Sequence, residues 1–385
     1  MKKNTKKNMT KFLVMLIAII TLFSIAIPVF ADTDLIKVEA NSALLIEATS
    51  GDIIFEKNSN VKYAPASVTK VMTMLLTMEA IDSGKISFND KVTISENSKR
   101  MGGSSMLLDT GEIRTVEDLI KGVGIASGND AAVALGEYLG GSEENFVGMM
   151  NKRASELGMK NTHFKNCTGL PIDGHISTAN DISIMSRELL KHESILKYTS
   201  TYMETISEGR KSPIELVNHN KLVRFFKGCD GLKTGFTQEA KYCITATAKK
   251  DGTRMIAVIM GAPTFKIRNR DASMLMNYGF SKYETLKLVS KDEEVQLEYL
   301  DKSNKKYLIL KSETDLNVTL LKGINTGIEV EIKVNDNLNK IKRGDIVGKY
   351  IFYLKDKQIG EVSLYSDRDC NYSGFINKIK RLFMS

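Results

Sequence analysis

The chain has 385 residues, and its content of 42% hydrophobic and 26% charged residues is typical of a globular protein with a large core. The formal net charge is +8, but five lysines and no acidic residue lie in residues 1–31, so residues 32–385 carry only +3. Because no lysine- or arginine-rich block marks a nucleic-acid-binding surface, we expect no nucleic-acid partner.

The N-terminal segment has the pattern of a secretion signal. An apolar run, Phe12–Phe30, follows the lysines, and the small residues Val29 and Ala31 favour cleavage before Asp32. An uncleaved membrane anchor is the alternative, because the run approaches the length of a membrane span. Either way, the rest of the chain is exported. The lysines are Lys2, Lys3, Lys6, Lys7 and Lys11.

The next segments predict a hairpin followed by helices. Residues 42–56 indicate a β-hairpin around the turn Ser50-Gly51-Asp52. A strongly apolar helix is expected from near Pro65 until Gly84. Residues 113–205 indicate several helices that are separated by glycine-containing turns.

From Gly231 the pattern changes to strands, and Asp251-Gly252 predicts a hairpin turn between two of them. Ala272–Phe280 predicts a closing helix. Strands at both ends with helices between them favour one α+β domain, whose antiparallel sheet joins distant parts of the chain. The predicted strands are Leu232–Phe236, Tyr242–Lys249 and Arg254–Gly261.

After about Leu286, short alternating segments predict a small all-β module without a catalytic constellation. The tail Phe375–Met384 has apolar residues at helical spacing with cationic residues off that face, which favours a helix lying on an anionic membrane surface. Docking of this helix on its own domain is the alternative. The predicted strands are Glu294–Leu300, Tyr307–Leu310, Val318–Leu321, Ile328–Val334 and Gly348–Leu354.

Cysteines and histidines are few and have no metal-ligand spacing, so we expect no metal and no cofactor. The cysteines form no CxxC pair, and export permits disulfides, but buried idle thiols are the simpler interpretation. The residues are Cys167, Cys229, Cys243, Cys370, His163, His175, His192 and His219.

Ser67 and Lys70 stand three positions apart at the start of the apolar helix, so they share one helical face. A serine is a weak nucleophile without an adjacent base, and a lysine can act as that base when burial lowers its pKa. Ser59/Lys62, Ser194/Lys197 and Ser303/Lys306 have identical spacing, so only the context after Pro65 distinguishes this pair.

Two further motifs complete a set. Ser127-Gly128-Asn129 lies between helices, where the Ser127 hydroxyl could relay a proton and the Asn129 amide could hold the substrate backbone; a capped turn is the alternative. Lys233-Thr234-Gly235 starts a strand and offers a cation and a hydroxyl to a carboxylate, while Gly235 permits close approach of a substrate. An ordinary edge-strand lysine is the alternative there.

The three motifs in this order resemble the penicillin-recognising serine enzymes. Longer segments are similar to the serine D-alanyl-D-alanine carboxypeptidases, the low-molecular-mass penicillin-binding proteins, over residues 35–285. The resemblance implies an α+β transpeptidase fold like that of penicillin-binding proteins and β-lactamases. The segments are Ala64–Thr73, Gly103–Met106, Ser127–Ala132, Asn166–Leu170, His175–Asp181 and Asp230–Thr237.

By this resemblance, Ser67 attacks a peptidoglycan stem peptide ending in D-Ala-D-Ala, with Lys70 as base and Ser127 as proton relay. Asn129, Lys233, Thr234 and Gly235 would bind the substrate. β-Lactams would inhibit the enzyme, which would act in cell-wall maturation at the outer face of the bacterial cytoplasmic membrane. The expected divisions are a signal peptide (1–31), a catalytic domain (32–286), an all-β domain (287–370) and an amphipathic anchoring tail (371–385).

The roles of a few single residues and two alternative functions remain to be considered. Lys241 stands where the family usually has a glycine, and a structural role is expected for His175 and Asp181 rather than a Ser–His–Asp triad. A class A β-lactamase needs a glutamate between the second and third motifs, and none occurs from Leu157 to Arg187. A penicillin-sensing scaffold is the non-enzymatic rival, but all motif residues are intact.

Overall fold

The computed structural model describes residues 36–207, 212–301, 304–324, 326–335, 340–371 and 382–383. The backbone divides into two units, Met1–Lys37 and Val38–Ser385, and every described helix and strand lies in the second. No helix in the described ranges is long and apolar enough to cross a membrane. The predicted signal segment 1–31 lies outside the described residues.

The helices lie between and around the strands of the N-terminal two thirds of the chain. Two 3₁₀ turns, Ala66–Thr69 and Glu193–Ile195, precede α-helices directly. The α-helices are α1 Lys70–Asp82, α2 Glu96–Lys99, α3 Val116–Gly124, α4 Asn129–Gly140, α5 Glu143–Glu156, α6 Ala179–Leu189, α7 Leu196–Thr199, α8 Leu222–Phe225 and α9 Phe265–Lys282.

The strands form one central sheet, a C-terminal group and two short pairs. They are β1 Ser42–Glu47, β2 Ile53–Lys57, β3 Lys91–Thr93, β4 Ile113–Thr115, β5 Met203–Ile206, β6 Ile214–Val217, β7 Cys229–Thr237, β8 Lys241–Lys250, β9 Thr253–Ala262, β10 Tyr283–Val289, β11 Glu294–Asp301, β12 Asn304–Ser312, β13 Leu316–Leu321, β14 Ile328–Val334, β15 Lys340–Ile341, β16 Ile346–Leu354, β17 Lys357–Ser366, β18 Cys370–Asn371 and β19 Leu382–Phe383.

The central sheet is antiparallel and has the order β2-β1-β9-β8-β7, so β7 is an edge strand. Every residue of β1 is buried, because α9 covers one face of the sheet and α6 the other. The sheet joins residues 42–57 with residues 229–262, which confirms the predicted α+β arrangement of distant segments. The predicted hairpins at 42–56 and around Asp251-Gly252 are both confirmed.

Helix α1 is buried on nearly all sides, as expected for a helix that is apolar all round. It ends at Asp82, and Gly84 follows in the left-handed conformation with φ +71°, as the glycine predicted. Its start differs from the prediction, because the residues after Pro65 form a 3₁₀ turn in which Ala66 has φ +49°. Apolar periodicity carries no information on that conformation.

Side-chain caps fix the start of the surrounding helices. In α3, α5, α6 and α9 the residue before the helix accepts a hydrogen bond from the backbone N–H three positions later. These caps satisfy backbone donors that would otherwise be orphaned at each helix start. The capping residues are Thr115, Ser142, Thr178 and Thr264.

The C-terminal part is all-β, as predicted. A six-stranded sheet has the order β11-β12-β17-β16-β14-β19, and β10 pairs with β13. Pattern analysis missed β10 and β17, the first because it follows α9 without a turn. For the tail, helix was expected, but Leu382–Phe383 pairs as a strand with β14, so the helical prediction is wrong there. The remainder, 372–381 and 384–385, lies outside the described residues.

Three cysteine side chains are described, and all three are buried free thiols: Cys167, Cys229 and Cys243. Burial is the main cause that raises the pKa of each thiol, to about 11 for Cys229 and Cys243. These cysteines therefore stay protonated at neutral pH and behave as small core residues.

Candidate active site

The strained turn before α1 presents Ser67. Ala66 is buried in the left-handed conformation, and Val68 and Thr69 are buried behind it, so only Ser67 in this turn faces partly outward. Such strain in a non-glycine residue persists only where the surrounding structure holds it.

Lys70 is the first residue of α1 and is completely buried. Its Nζ atom lies 3.1 Å from Ser67 Oγ, 2.5 Å from Asn129 Oδ1 and 2.6 Å from the Thr168 carbonyl oxygen. Burial lowers the pKa of Lys70 from 10.5 to about 7, although the nearby Cys167 and Asp130 act in the opposite direction.

The three contacts of the amine determine what a neutral Lys70 can do. A neutral amine has two N–H donors and one lone pair. Asn129 Oδ1 and the Thr168 carbonyl oxygen can only accept, so they take both N–H groups. The lone pair is then left for the hydroxyl of Ser67, which is the arrangement that a general base requires.

The second motif lies where α4 begins. Asn129 is buried, and its side-chain Nδ2 donates to the carbonyl oxygen of Gly102 at 2.5 Å. Ser127 is buried and has φ +62°, and its hydroxyl makes no hydrogen bond with any described residue. Asn129 thus contacts Lys70 directly. Ser127, two positions earlier in the chain, has a hydroxyl group that is free to bind a substrate.

The third motif occupies edge strand β7. Lys233 is buried, and its Nζ donates to the carbonyl oxygen of Thr234 at 3.0 Å. A Cβ atom on Gly235 would lie 2.9 Å from the carbonyl oxygen of Pro65 and 3.0 Å from the backbone nitrogen of Ser67. Only glycine therefore allows the strand to approach the Ser67 turn this closely.

Burial places the pKa of Lys233 well below its usual range, and the positive charges of Lys70 and Arg268 act in the same direction. Arg268 is itself buried, which lowers its pKa to about 10. A bound carboxylate would compensate these cations and favour the charged form of Lys233. The site is thus suited to an anionic group.

Sequence reasoning did not assign a role to the loop 166–170. The Thr168 carbonyl accepts from Lys70, and Asn166 Oδ1 holds the loop by accepting from the N–H groups of Thr168 and Gly169. A Cβ atom on Gly169 would lie 1.8 Å from the Ala66 carbonyl oxygen. The sequence indicated this segment only through the family resemblance, because the group that contacts Lys70 is a backbone carbonyl.

His219 was considered in the sequence only as a possible metal ligand. Part of its ring is exposed, but desolvation of the rest lowers its pKa to about 4, with further effects from Lys233, Lys221, Arg268 and Lys70. It is therefore a neutral imidazole near the cations of the site. A lone histidine without spacing to other chemical groups gives no signal in a sequence.

His175 and Asp181 have structural partners. His175 Nδ1 accepts from the backbone N–H of Lys165 at 3.1 Å, so Nε2 carries the proton and donates to Thr69 Oγ1 at 2.8 Å. Burial lowers the pKa of His175 to about 4. Asp181 accepts from the backbone N–H of Asn161 at 2.8 Å. Neither residue contacts Ser67, in agreement with the expected structural role.

Within the described ranges, no group of three metal-ligating side chains lies close enough together to hold a metal ion. The groups available at the site are a serine hydroxyl, a buried lysine amine and the buried lysine of strand β7. This arrangement is typical of a serine enzyme that forms a covalent acyl intermediate, because a serine hydroxyl lies 3.1 Å from a buried lysine amine.

Comparison with known proteins places the chain within that class. Residues 29–264 match the family described as D-alanyl-D-alanine carboxypeptidase, and residues 283–372 match the C-terminal domain of penicillin-binding protein 5. The chain belongs to the D-alanyl-D-alanine carboxypeptidase family.

Curated relatives match over most of their length. The D-alanyl-D-alanine carboxypeptidase DacF of Bacillus subtilis is 46% identical over 345 residues, 89% of each chain. The enzyme DacC of Escherichia coli is 31% identical, over 89% of this chain and 87% of its own.

Solved structures agree in fold. Penicillin-binding protein 5 of Haemophilus influenzae has a TM-score of 0.78 at 31% identity and covers 86% of this chain and 98% of its own. Penicillin-binding protein D2 of Listeria monocytogenes, in its ampicillin-bound form, has a TM-score of 0.57 at 34% identity over 63% of this chain and 98% of its own.

Proposed function

We propose that the protein is a serine D-alanyl-D-alanine carboxypeptidase, which removes the terminal D-Ala from peptidoglycan stem pentapeptides through an acyl-enzyme on Ser67. The observation that carries the proposal is the 3.1 Å contact between Ser67 Oγ and the buried amine of Lys70, whose pKa is about 7. At neutral pH about half of the molecules hold that amine unprotonated.

In the acylation step, Ser67 Oγ attacks the carbonyl carbon between the two D-Ala residues while its proton passes to Lys70. The backbone N–H of Ser67 and an N–H of strand β7, which approaches it at Gly235, stabilise the oxyanion. The peptide C–N bond then breaks, and Ser127 relays the proton to the leaving amine of D-Ala.

Substrate binding falls to the second and third motifs. Lys233 and Thr234 bind the terminal carboxylate of the substrate, supported by the nearby buried guanidinium of Arg268. The Asn129 amide and the open edge of β7 near Gly235 hold the extended peptide backbone. In the second step, water attacks the acyl carbon and restores the hydroxyl of Ser67.

β-Lactams would acylate the same serine, because their strained amide carries a carboxylate in the position of the terminal D-Ala carboxylate. A relative of 34% identity, described in an ampicillin-bound form, supports this part of the proposal. The biological role that follows is trimming of stem peptides in cell-wall maturation.

Location at the outer face of the cytoplasmic membrane is proposed from the sequence. The segment 1–31 would direct export, and the tail 371–385 would attach the protein to the membrane surface through its apolar and cationic residues. The catalytic part would extend over 32–286 and the all-β part over 287–370.

The test is incubation of the purified protein with a pentapeptide ending in D-Ala-D-Ala, with released D-Ala measured, and mass spectrometry of the penicillin adduct. We expect D-Ala release and a single adduct on Ser67, both absent from Ser67→Ala. Hydrolysis of β-lactam without D-Ala release would instead indicate a β-lactamase, and neither reaction would indicate a penicillin-sensing scaffold.

A further inference from the structure

Asp130 follows the second motif and has no part in the proposed reaction. Its side chain is 1% exposed, and its carboxylate accepts three hydrogen bonds from one loop: from Ser105 Oγ at 2.6 Å, from Met106 N at 3.0 Å and from Leu108 N at 3.2 Å. A buried carboxylate that accepts hydrogen bonds from several N–H and O–H groups holds those groups firmly in place.

The loop that Asp130 holds, residues 102–108, carries the two carbonyl groups that fix Asn129. The Ser104 carbonyl accepts from the backbone N–H of Asn129 at 2.7 Å, and the Gly102 carbonyl accepts from its side-chain Nδ2 at 2.5 Å. A Cβ atom on Gly103 would lie 2.9 Å from the same Nδ2, so the loop lies directly against the amide.

The Gly102 carbonyl decides which way the Asn129 amide points. A carbonyl oxygen can only accept, so the NH₂ end of the amide must face it, and Oδ1 must face Lys70. In the opposite orientation the amide would offer donors to Lys70. The lone pair of the neutral amine would then be drawn to Asn129 rather than to Ser67.

We propose that Asp130 is a positioning residue: its carboxylate holds the loop 102–108 so that Gly102 orients the Asn129 amide, which in turn directs the Lys70 lone pair to Ser67. The inference rests on the proposed function, since it concerns the same acylation step. Asp130 does not touch the substrate and acts through Asn129.

The charge of Asp130 gives the proposal a separate readout. Among the groups around Lys70, Cys167 and Asp130 raise its pKa, whereas burial lowers it. Cationic or neutral groups that interact with Lys70 are Lys233, His175 and His219. Removing the Asp130 charge therefore lowers the pKa of Lys70, and the rate of acylation should begin to rise at lower pH.

The experiment measures the rate of Ser67 acylation by a fluorescent penicillin from pH 5 to 9 in the full chain. We expect Asp130→Asn to lower the plateau rate by roughly 10- to 100-fold, because a small displacement of the base costs about that much. The rising limb should move to lower pH in the same variant. Ser105→Ala keeps the charge of Asp130. It should lower the acylation rate about threefold or more without moving the rising limb of the pH profile.

Asp251→Asn is the matched control, because Asp251 is exposed in the turn between β8 and β9 and asparagine tolerates its φ of +48°. It should match the wild type in rate and in pH profile. A plateau rate for Asp130→Asn within twofold of this control would overturn the proposal, as would a reduced rate with an unmoved limb.

Should Asp130→Asn fail to fold, Ser105→Ala decides: an unchanged rate contradicts the positioning role, and a reduced rate supports it. Failure of the proposed function is a different result, since it would appear as a wild-type protein without any adduct on Ser67.

Discussion

At the scale of single residues, the proposed chemistry depends on keeping one lysine uncharged inside the protein. Among the described residues, the hydrogen-bond partners of Lys70 Nζ are a hydroxyl, an amide oxygen and a backbone carbonyl, and none of them is a carboxylate. Neutral acceptors satisfy the N–H groups without stabilising the ammonium form as strongly as a carboxylate would, so the desolvation effect prevails.

Replacing Lys70 by arginine tests the role of the base. A guanidinium stays protonated at all accessible pH values, so we expect kcat/KM for D-Ala release to fall by about 100-fold or more. Lys62→Arg is the control, because Lys62 is exposed and stands in a Ser-x-x-Lys pair with Ser59. A Lys70→Arg protein with most of its turnover would refute the role of the lysine as base.

The residue scale also shows what spacing can and cannot predict. Ser67/Lys70 and Ser194/Lys197 have the same spacing, but the Lys197 side chain is 70% exposed and pairs with Glu117. Burial distinguishes the pair that we propose as reactive, and the sequence indicated it only through the apolar helix after Pro65. The carbonyl of Thr168 could not be predicted, since every residue has one.

At the scale of elements, the site is a contact between three backbone segments: the turn at Ser67, strand β7 and the loop 166–170. Glycines make the contact possible, because Gly235 and Gly169 both lie against the backbone of that turn. The elements themselves could be predicted from hydrophobic period and turn residues. Their mutual approach could not, because it depends on tertiary packing.

Gly169→Ala tests this contact. Its Cβ would lie 1.8 Å from the Ala66 carbonyl oxygen, so the turn that carries Ser67 must move. We expect the acylation rate to fall by about 100-fold. We also expect the free energy of unfolding, measured in denaturant, to fall by more than the roughly 1–2 kcal/mol of a left-handed alanine.

Gly174→Ala is its matched control. Gly174 has φ +79°, close to the +83° of Gly169, but a Cβ there meets only a lysine side-chain carbon at 3.4 Å. This variant should lose only about 1–2 kcal/mol of stability and keep its acylation rate. Equal effects of the two substitutions would show that the contact with Ala66 is unimportant.

Lys241 illustrates a local conflict between sequence and conformation. It has φ +55° at the start of β8, which explains why glycine suits this position. We expect Lys241→Gly to raise the free energy of unfolding by up to about 1 kcal/mol. Lys249→Gly, at an exposed position within the same strand, should lower it by about 0.5–1 kcal/mol. A lower stability for Lys241→Gly would disprove strain at this position.

At the scale of the whole molecule, the catalytic and all-β parts contact each other through polar groups. Ser50 and Thr319 share a hydrogen bond between their hydroxyl groups at 2.6 Å, and Lys322 Nζ donates to the carbonyl oxygen of Phe280 at 2.6 Å. The change in sequence pattern near residue 286 predicted an α+β part before this residue and an all-β part after it. Their strand orders could not be predicted, because pairing between distant strands leaves no local pattern.

Membrane attachment is the prediction that belongs to this scale. Deletion of Phe375–Ser385 removes the short strand β19 together with the proposed anchor. It should move the protein from the membrane fraction to the soluble fraction without change in kcat/KM, because none of these residues belongs to the proposed active site. Replacing the cationic residues Lys378, Lys380 and Arg381 by glutamine should weaken binding to anionic vesicles more than to neutral ones. A deleted protein that stays in the membrane fraction would point to the N-terminal segment as the anchor.

The most direct measurement of the central claim is the pH dependence of Ser67 acylation by a fluorescent penicillin in the wild-type protein. Only the neutral amine of Lys70 can accept the proton of the hydroxyl, and this form predominates above a pKa of about 7. The rate should therefore rise through pH 7 and level off above it. A rate that stays constant from pH 5 to 9 would contradict an uncharged Lys70 as the base.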